Sequence, residues 1–233
     1  MNLSTKATQL GENLLKKVNK TVKDEQMIDE GDNVLVAVSG GKDSLALLTL
    51  LALYQAKSKA KYNLFAVNIQ TDYHRENSAP QVETLRDIFE AFEIPYEFDD
   101  IEITKDEKGR EKTPSCFWCA WNRRKAIFFV AKRLNCNKIA YGHNLDDIAQ
   151  TALMNLFYHG ETKPMFPKQT FFDGIFTVIR PMAFIPEKEI ADFSRACQFD
   201  VPQLKCDVAN TSKREKMRDI IDSFGNDKEM IMV

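Results

Sequence analysis

At 233 residues, 44% hydrophobic and 28% charged, the chain has the composition of an ordinary soluble globular protein large enough to bury a full core. Its 32 basic and 34 acidic side chains leave a formal charge of −2, which does not announce a nucleic-acid binder. No apolar run reaches the length of a membrane span and the first residues lack a signal peptide's apolar stretch, so a cytoplasmic protein with no membrane partner is expected. Five cysteines, an odd number with one close pair at Cys116 and Cys119, fit metal or redox chemistry better than a disulfide framework.

Leu10, Leu14, Leu15, Val18 and Val22 recur at helical spacing and predict an amphipathic helix over about residues 7–24. This helix either serves a dimer or closes the core. A turn at residues 30–33 leads into an apolar strand, residues 34–38. The sequence Ser39-Gly40-Gly41-Lys42-Asp43-Ser44 follows, and a helix begins at once with a run of leucines to Leu53. Residues 64–69 form a second strand, 80–92 a helix, and 95–103 a third strand. Residues 104–114 are charged, contain Gly109 and read as a loop. A helix over 116–134 opens with the cysteine pair. A short strand at 138–141, a helix at 146–158, a last strand at 177–180, and helices at about 187–197 and 211–224 complete the chain. Alternating strands and helices imply a parallel sheet covered on both faces, with a ligand at the strand C-termini.

Residues 39–44 occupy such a strand end. Two glycines let the backbone approach a ligand and turn its N–H groups inward, and the helix N-terminus adds partial positive charge at the same point. With the hydroxyls of Ser39 and Ser44 and the ammonium of Lys42, a polyphosphate is the natural guest. The loop is not a Walker A motif, because position 36 is Val and Lys42 precedes Asp43. It resembles the PP-loop pyrophosphatases, whose S-G-G-x-D-S loop holds the pyrophosphate part of ATP while the α-phosphate is attacked.

Tyr141-Gly142-His143-Asn144-Leu145-Asp146-Asp147 follows the fourth strand. Gly142 permits close backbone approach, and the two aspartates offer hard oxygens suited to Mg²⁺ beside phosphates, or else cap a helix. Cys116-Phe117-Trp118-Cys119 fits a zinc site, a redox pair, an iron–sulfur site or two buried thiols. Cys206, on a polar loop, is the remaining candidate ligand; Cys136 and Cys197 read as structural. Basic side chains cluster at residues 16–23, 123–133 and 213–218 and form either a local basic face or solvated helix faces.

Taken in order, these features resemble the tRNA 2-thiocytidine synthetases, a cluster-dependent branch of the PP-loop ATPases. The resemblance runs from about residue 14 to 224. It includes Arg123-Arg124 after the cysteine pair, Asn155-Leu-Phe-Tyr-His-Gly160, Met165-Phe-Pro-Lys168 and Val178-Ile-Arg-Pro-Met182. Three features depart from the family's pattern. Asn144-Leu145 stands where the family reads His-Arg, as in the related thiouridine synthetases; Lys125 replaces a glycine, and Cys206 lacks a neighbouring cysteine.

The resemblance implies an α/β, adenine nucleotide alpha hydrolase-like (HUP, Rossmann-like) sheet sandwiched by helices. Residues 1–30 would be an N-terminal helical segment, and residues 31–233 a PP-loop ATPase domain with a C-terminal helical extension. Ser39, Gly40, Gly41, Lys42, Asp43 and Ser44 would bind ATP with Arg123, Gly142, His143 and Asp147, and Lys42, Asp43 and Asp147 would be catalytic. Cys116, Cys119 and Cys206 would hold a 4Fe–4S cluster. The substrate would be cytidine 32 of tRNA, and a cysteine desulfurase would supply the sulfur. Another acceptor base, a small-molecule acceptor, and a nucleotide-binding adapter without turnover are the alternatives.

Overall fold

The computed structural model describes residues 4–105, 109–204 and 213–223. Its elements are α1 (Thr5–Asp24), β1 (Asn33–Ala37), α2 (Lys42–Lys57), β2 (Asn63–Thr71), α3 (Arg75–Ala91), β3 (Tyr96–Ile101), α4 (Cys116–Arg133), β4 (Lys138–Ala140), α5 (Leu145–His159), β5 (Lys168–Phe171), β6 (Phe176–Ile179), α6 (Glu187–Cys197) and α7 (Lys213–Ser223). The strands form one sheet in the order β3-β2-β1-β4-β6-β5. All neighbours are parallel except β5 and β6, with Val36 opposite both Ala66 and Ala140.

Chain order reverses at β1: β2 and β3 extend the sheet to one side, and β4 and β6 to the other. The crevice between the ends of β1 and β4 is therefore the switch point at which open α/β sheets bind ligands. Both glycine-bearing loops, 39–44 and 141–147, emerge there.

Strand alternation divides the core between the two faces of the sheet. Val34, Val36, Leu64 and Ala66 meet α2 and α3 on one face. Leu35, Val67, Ile69 and Ile139 meet Ile127 and Val130 of α4 on the other. Helix α2 is apolar on every side because it is buried on every side: α1 and α6 pack over it as an outer layer. Ala7, Leu14, Leu15, Val18 and Val22 of α1 belong to this same core, so the N-terminal helix closes it. Gly11 marks how closely α1 lies on α6, since a Cβ there would stand 3.0 Å from the Phe193 ring.

Strand β5 has no counterpart in the sequence reading. Lys168-Gln-Thr-Phe shows no apolar alternation, and it pairs as an edge through a turn with positive φ at Phe172, Asp173 and Gly174. Helix α3 begins at Arg75 rather than at residue 80, with Pro80 inside its second turn. No helix among the described residues is long and apolar enough to cross a membrane.

Candidate active site

The loop after β1 is held by its own serines. Ser39 N–H donates to Ser44 Oγ at 3.2 Å, Ser44 Oγ donates to the Gly41 carbonyl at 2.9 Å, and Gly41 N–H reaches Ser39 Oγ at 3.4 Å. Gly40 has φ +87°, a conformation L residues rarely adopt, and a Cβ there would meet Gln81 Nε2 at 2.9 Å. Gly41 is the N-cap of α2 and supplies no side-chain cap. The first-turn N–H donors of that helix are thus left for a ligand, with the positive end of the helix dipole behind them.

Gly142 brings the second loop against the first. A Cβ on it would lie 2.9 Å from the Asp43 carbonyl oxygen and 3.1 Å from the Ser44 nitrogen, both backbone atoms. Asn144, nearly fully buried, donates from Nδ2 to Asp43 Oδ1 at 3.4 Å. It also caps α5 reciprocally with Asp147: Asp147 N–H donates to Asn144 Oδ1 at 3.0 Å, and Asn144 N–H to Asp147 Oδ2 at 3.1 Å. Asp146 Oδ2 accepts the Glu187 N–H at 2.6 Å. Both aspartates therefore act as caps here, and Asp147 still lies near enough to Asp43 to raise its pKa.

Lys42 is ion-paired on two sides, its Nζ 2.8 Å from Asp43 Oδ2 and 2.8 Å from Glu187 Oε1. Burial pulls its pKa down, but the hydrogen bonds to the two carboxylates win and hold it above the ordinary lysine value. Asp43 is held above the usual carboxylate range, first by burial and then by the nearby charges of Asp147 and Glu187, against the lowering effect of Lys42. Glu187 is lowered, chiefly by its bond to Lys42. Arg218 of α7 stands 3.3 Å from its other oxygen.

His143 accepts from Arg180 Nε at 3.3 Å through Nδ1, and its ring lies 5.6 Å from that of Tyr141. Arg180 is buried at the end of β6 and donates to the Phe166 carbonyl at 2.5 Å. The Tyr141 hydroxyl is buried without a partner and raised to about 12 by burial, against the lowering charges of Arg124 and Arg180. Arg124 is thus near enough to Tyr141 and Arg180 for its charge to act on both.

In that first turn Cys116 is exposed and Cys119 half-buried. Ser115 caps the turn, accepting from Trp118 N–H at 3.2 Å. Trp118 anchors it: the indole donates to the Ile103 carbonyl at 3.0 Å, and Lys112 Nζ sits 3.7 Å over the ring. Asp72 in turn holds the Ile103 N–H at 2.8 Å. Arg123 Nε is buried with no hydrogen-bond partner. Cys206 lies outside the described residues, and among those described no three or more His, Cys, Asp or Glu side chains are grouped as a metal cage.

The structure thus gathers Ser39, Gly40, Gly41, Lys42, Asp43, Ser44, Gly142 and Asp147 around one crevice, with His143 beside it. Sequence reasoning missed Glu187, whose only signal was an acid directly after Pro186, and Arg180 and Tyr141, which lay inside recognised motifs without an assigned role.

A PP-loop domain profile matches residues 10–222. The tRNA-cytidine(32) 2-sulfurtransferase of Citrifermentans bemidjiense is 36% identical over 217 residues, which cover 92% of this chain and 84% of that protein. The chain belongs to the tRNA 2-thiocytidine synthetase family of PP-loop enzymes. The tRNA-cytidine(32) 2-sulfurtransferase of Cupriavidus necator is 35% identical over 228 residues, covering 96% of this chain and 71% of that protein. Among solved structures, the U34-tRNA thiolase NcsA from Methanococcus maripaludis, determined with its [4Fe-4S] cluster, superposes with a TM-score of 0.75 at 24% identity. It is matched over 94% of this chain and 73% of its own. At that identity the likeness speaks for the fold.

Proposed function

We propose that this enzyme converts cytidine 32 in the anticodon loop of tRNA to 2-thiocytidine, consuming ATP and a sulfide equivalent and releasing AMP and pyrophosphate. The carrying observation is the meeting of two glycine loops at the switch point, with Gly142 against the backbone of Asp43. The choice of acceptor is supported by the tRNA-cytidine(32) 2-sulfurtransferases that the chain matches over nine-tenths of its length.

The chemistry needs activation because the cytosine C2 oxygen is a poor leaving group. Attack of that oxygen on the α-phosphate forms a base–O–AMP bond and breaks the bond to pyrophosphate; sulfide then adds at C2 and AMP leaves. Residues 39–44 would bind the β- and γ-phosphates through backbone N–H groups and serine hydroxyls. Lys42 would leave Asp43 and Glu187 to neutralise the departing pyrophosphate, and Arg123, whose buried Nε has no hydrogen-bond partner, would reach the same charge. Removing one such contact typically costs on the order of 10²–10³ in rate.

Asp43 and Asp147, close enough for one carboxylate to raise the pKa of the other, suit a hard cation and would hold Mg²⁺, which supplies charge neutralisation on the phosphates. Cys116 and Cys119 suit a cluster: they stand one turn apart at the start of α4, with Cys116 exposed. With Cys206 they would hold a 4Fe–4S cluster, which supplies an open iron to carry sulfur. A cysteine desulfurase in the cytoplasm would deliver that sulfur.

Pyrophosphate release measured with and without tRNA tests the reading. Stimulation by tRNA is expected, with the Lys42→Ala enzyme silent while keeping its iron and sulfide. Turnover indifferent to tRNA would point to a small-molecule acceptor, and ATP binding without pyrophosphate release to an adapter.

A further inference from the structure

Helix α4 carries two aromatic rings outward in its first two turns: Phe117 is 77% exposed and Trp121 is 51% exposed. Four residues apart, they share one helix face, and the exposed Arg124 continues it. Phe128, one turn further along this face, packs 5.6 Å from Phe171 and 5.4 Å from Phe176, so the face turns toward the β5–β6 hairpin. Nearer the helix start on the same face, the charge of Arg124 reaches Tyr141 and Arg180, which follow the C-terminal ends of β4 and β6. Phe166, 51% exposed, holds Arg180 through its carbonyl.

Exposed rings on α4 and before β5 thus accompany the guanidinium groups of Arg124 and Arg180, which repel one another. Trp118, between the two exposed rings, is fixed from three sides by Ile103, Lys112 and Ser115, so the outward direction of its neighbours is set by a braced helix turn. Residues 109–125 hold Arg110, Lys112, Arg123, Arg124 and Lys125 against the single acid Glu111, in a chain whose net charge is −2. Exposed rings interleaved with cations are the surface that unpaired bases and phosphates bind, by stacking and charge together. The cores of protein–protein interfaces are depleted in lysine, whereas Lys112 and Lys125 flank these rings.

We propose that Phe117, Trp121 and Arg124, faced by Phe166, form a stacking platform for the unpaired bases of an RNA loop. The platform would hold that loop over the ends of β4 and β6 while one base enters the crevice. This rests on the tRNA reading above and names the surface through which it acts.

Fluorescence anisotropy of the full chain with a labelled, unmodified anticodon stem-loop tests it. Trp121→Ala and Phe117→Ala should each weaken Kd about tenfold, and Arg124→Ala should lower the salt slope by about one. Phe129→Ala, which removes another exposed ring that lies about 110° around α4 from the centre of this face, should keep Kd within about twofold of wild type. If wild type binds and Phe117→Ala and Trp121→Ala bind equally well, the platform is refuted and the tRNA reading stands. A shift of those variants from dimer to monomer with RNA affinity intact would assign the surface to a second copy and overturn the platform. A wild-type chain that binds no tRNA would overturn the functional reading itself.

Discussion

Gly142→Ala probes the contact on which the crevice depends. The added methyl would sit 2.9 Å from the Asp43 carbonyl oxygen, 3.0 Å from its carbon and 3.1 Å from the Ser44 nitrogen. Ordinary contact for such atoms begins near ~3.5 Å, so the overlap is about half an ångström. All three atoms are backbone in the first turn of α2, and no side chain can swing aside. One loop must move bodily. Overpacking of this kind costs about 1–3 kcal/mol, and for a protein of this size a loss of ~2 kcal/mol lowers Tm by roughly 4–8 °C. The same displacement separates the phosphate donors of one loop from those of the other, and misplacement approaching 1 Å can cost about 100-fold. Thermal melting and calorimetric titration with a non-hydrolysable ATP analogue measure both effects. Gly41→Ala is the comparator: its methyl meets only Ser39 Oγ, at 3.5 Å. Its stability loss is confined to poorer helix capping, about 1 kcal/mol. A Gly142→Ala protein with wild-type Tm and wild-type nucleotide affinity would refute the argument.

Glu187→Gln removes one of the two carboxylates that hold Lys42 and should tighten binding of the ATP analogue by about two- to fivefold, the scale of a half-exposed ion pair; weaker binding would mean that Glu187 serves the loaded state instead. Asp72 is partly desolvated, yet hydrogen bonds from Thr104, Ile103 and Tyr73 hold its carboxyl below the usual range. Its contribution is present above the unfolded carboxylate value and is lost as pH falls through the lower folded one, so the Tm gap between wild type and Asp72→Ala should persist from pH 7 to about pH 4 and close below it. Burial pushes the Cys136 thiol up to about 12 and that of Cys197 to about 11. In the apo chain at pH 8, iodoacetamide should therefore label the exposed Cys116 and spare both, as peptide mass spectrometry would show; labelling of Cys136 before Cys116 would contradict the packing of α4.

Sequence alone carried the parallel sheet and both strand-end loops, because apolar runs, glycines and a lysine–aspartate pair are local signals. It did not carry the constraint on Lys42. Glu187 enters from α6, and nothing near either residue in the chain marks the ion pair. Asp146 and Asp147 looked equally suited to metal or to capping, and only the positions of Asn144 and the Glu187 N–H show that each carboxylate already spends an oxygen on a helix end. Strand β5 escaped because it is a four-residue edge strand with no buried residue, so it carries no apolar alternation. Pro80 misplaced the start of α3, since a proline reads as a helix boundary although it also sits within a second turn.

Nucleoside mass spectrometry of tRNA tests the central claim most directly. In cells that lack 2-thiocytidine, expression of this chain should restore the modified nucleoside at position 32, and the Lys42→Ala chain should restore none. Well-expressed, ATP-consuming protein that leaves cytidine 32 unmodified, or that thiolates a different base, would contradict the account.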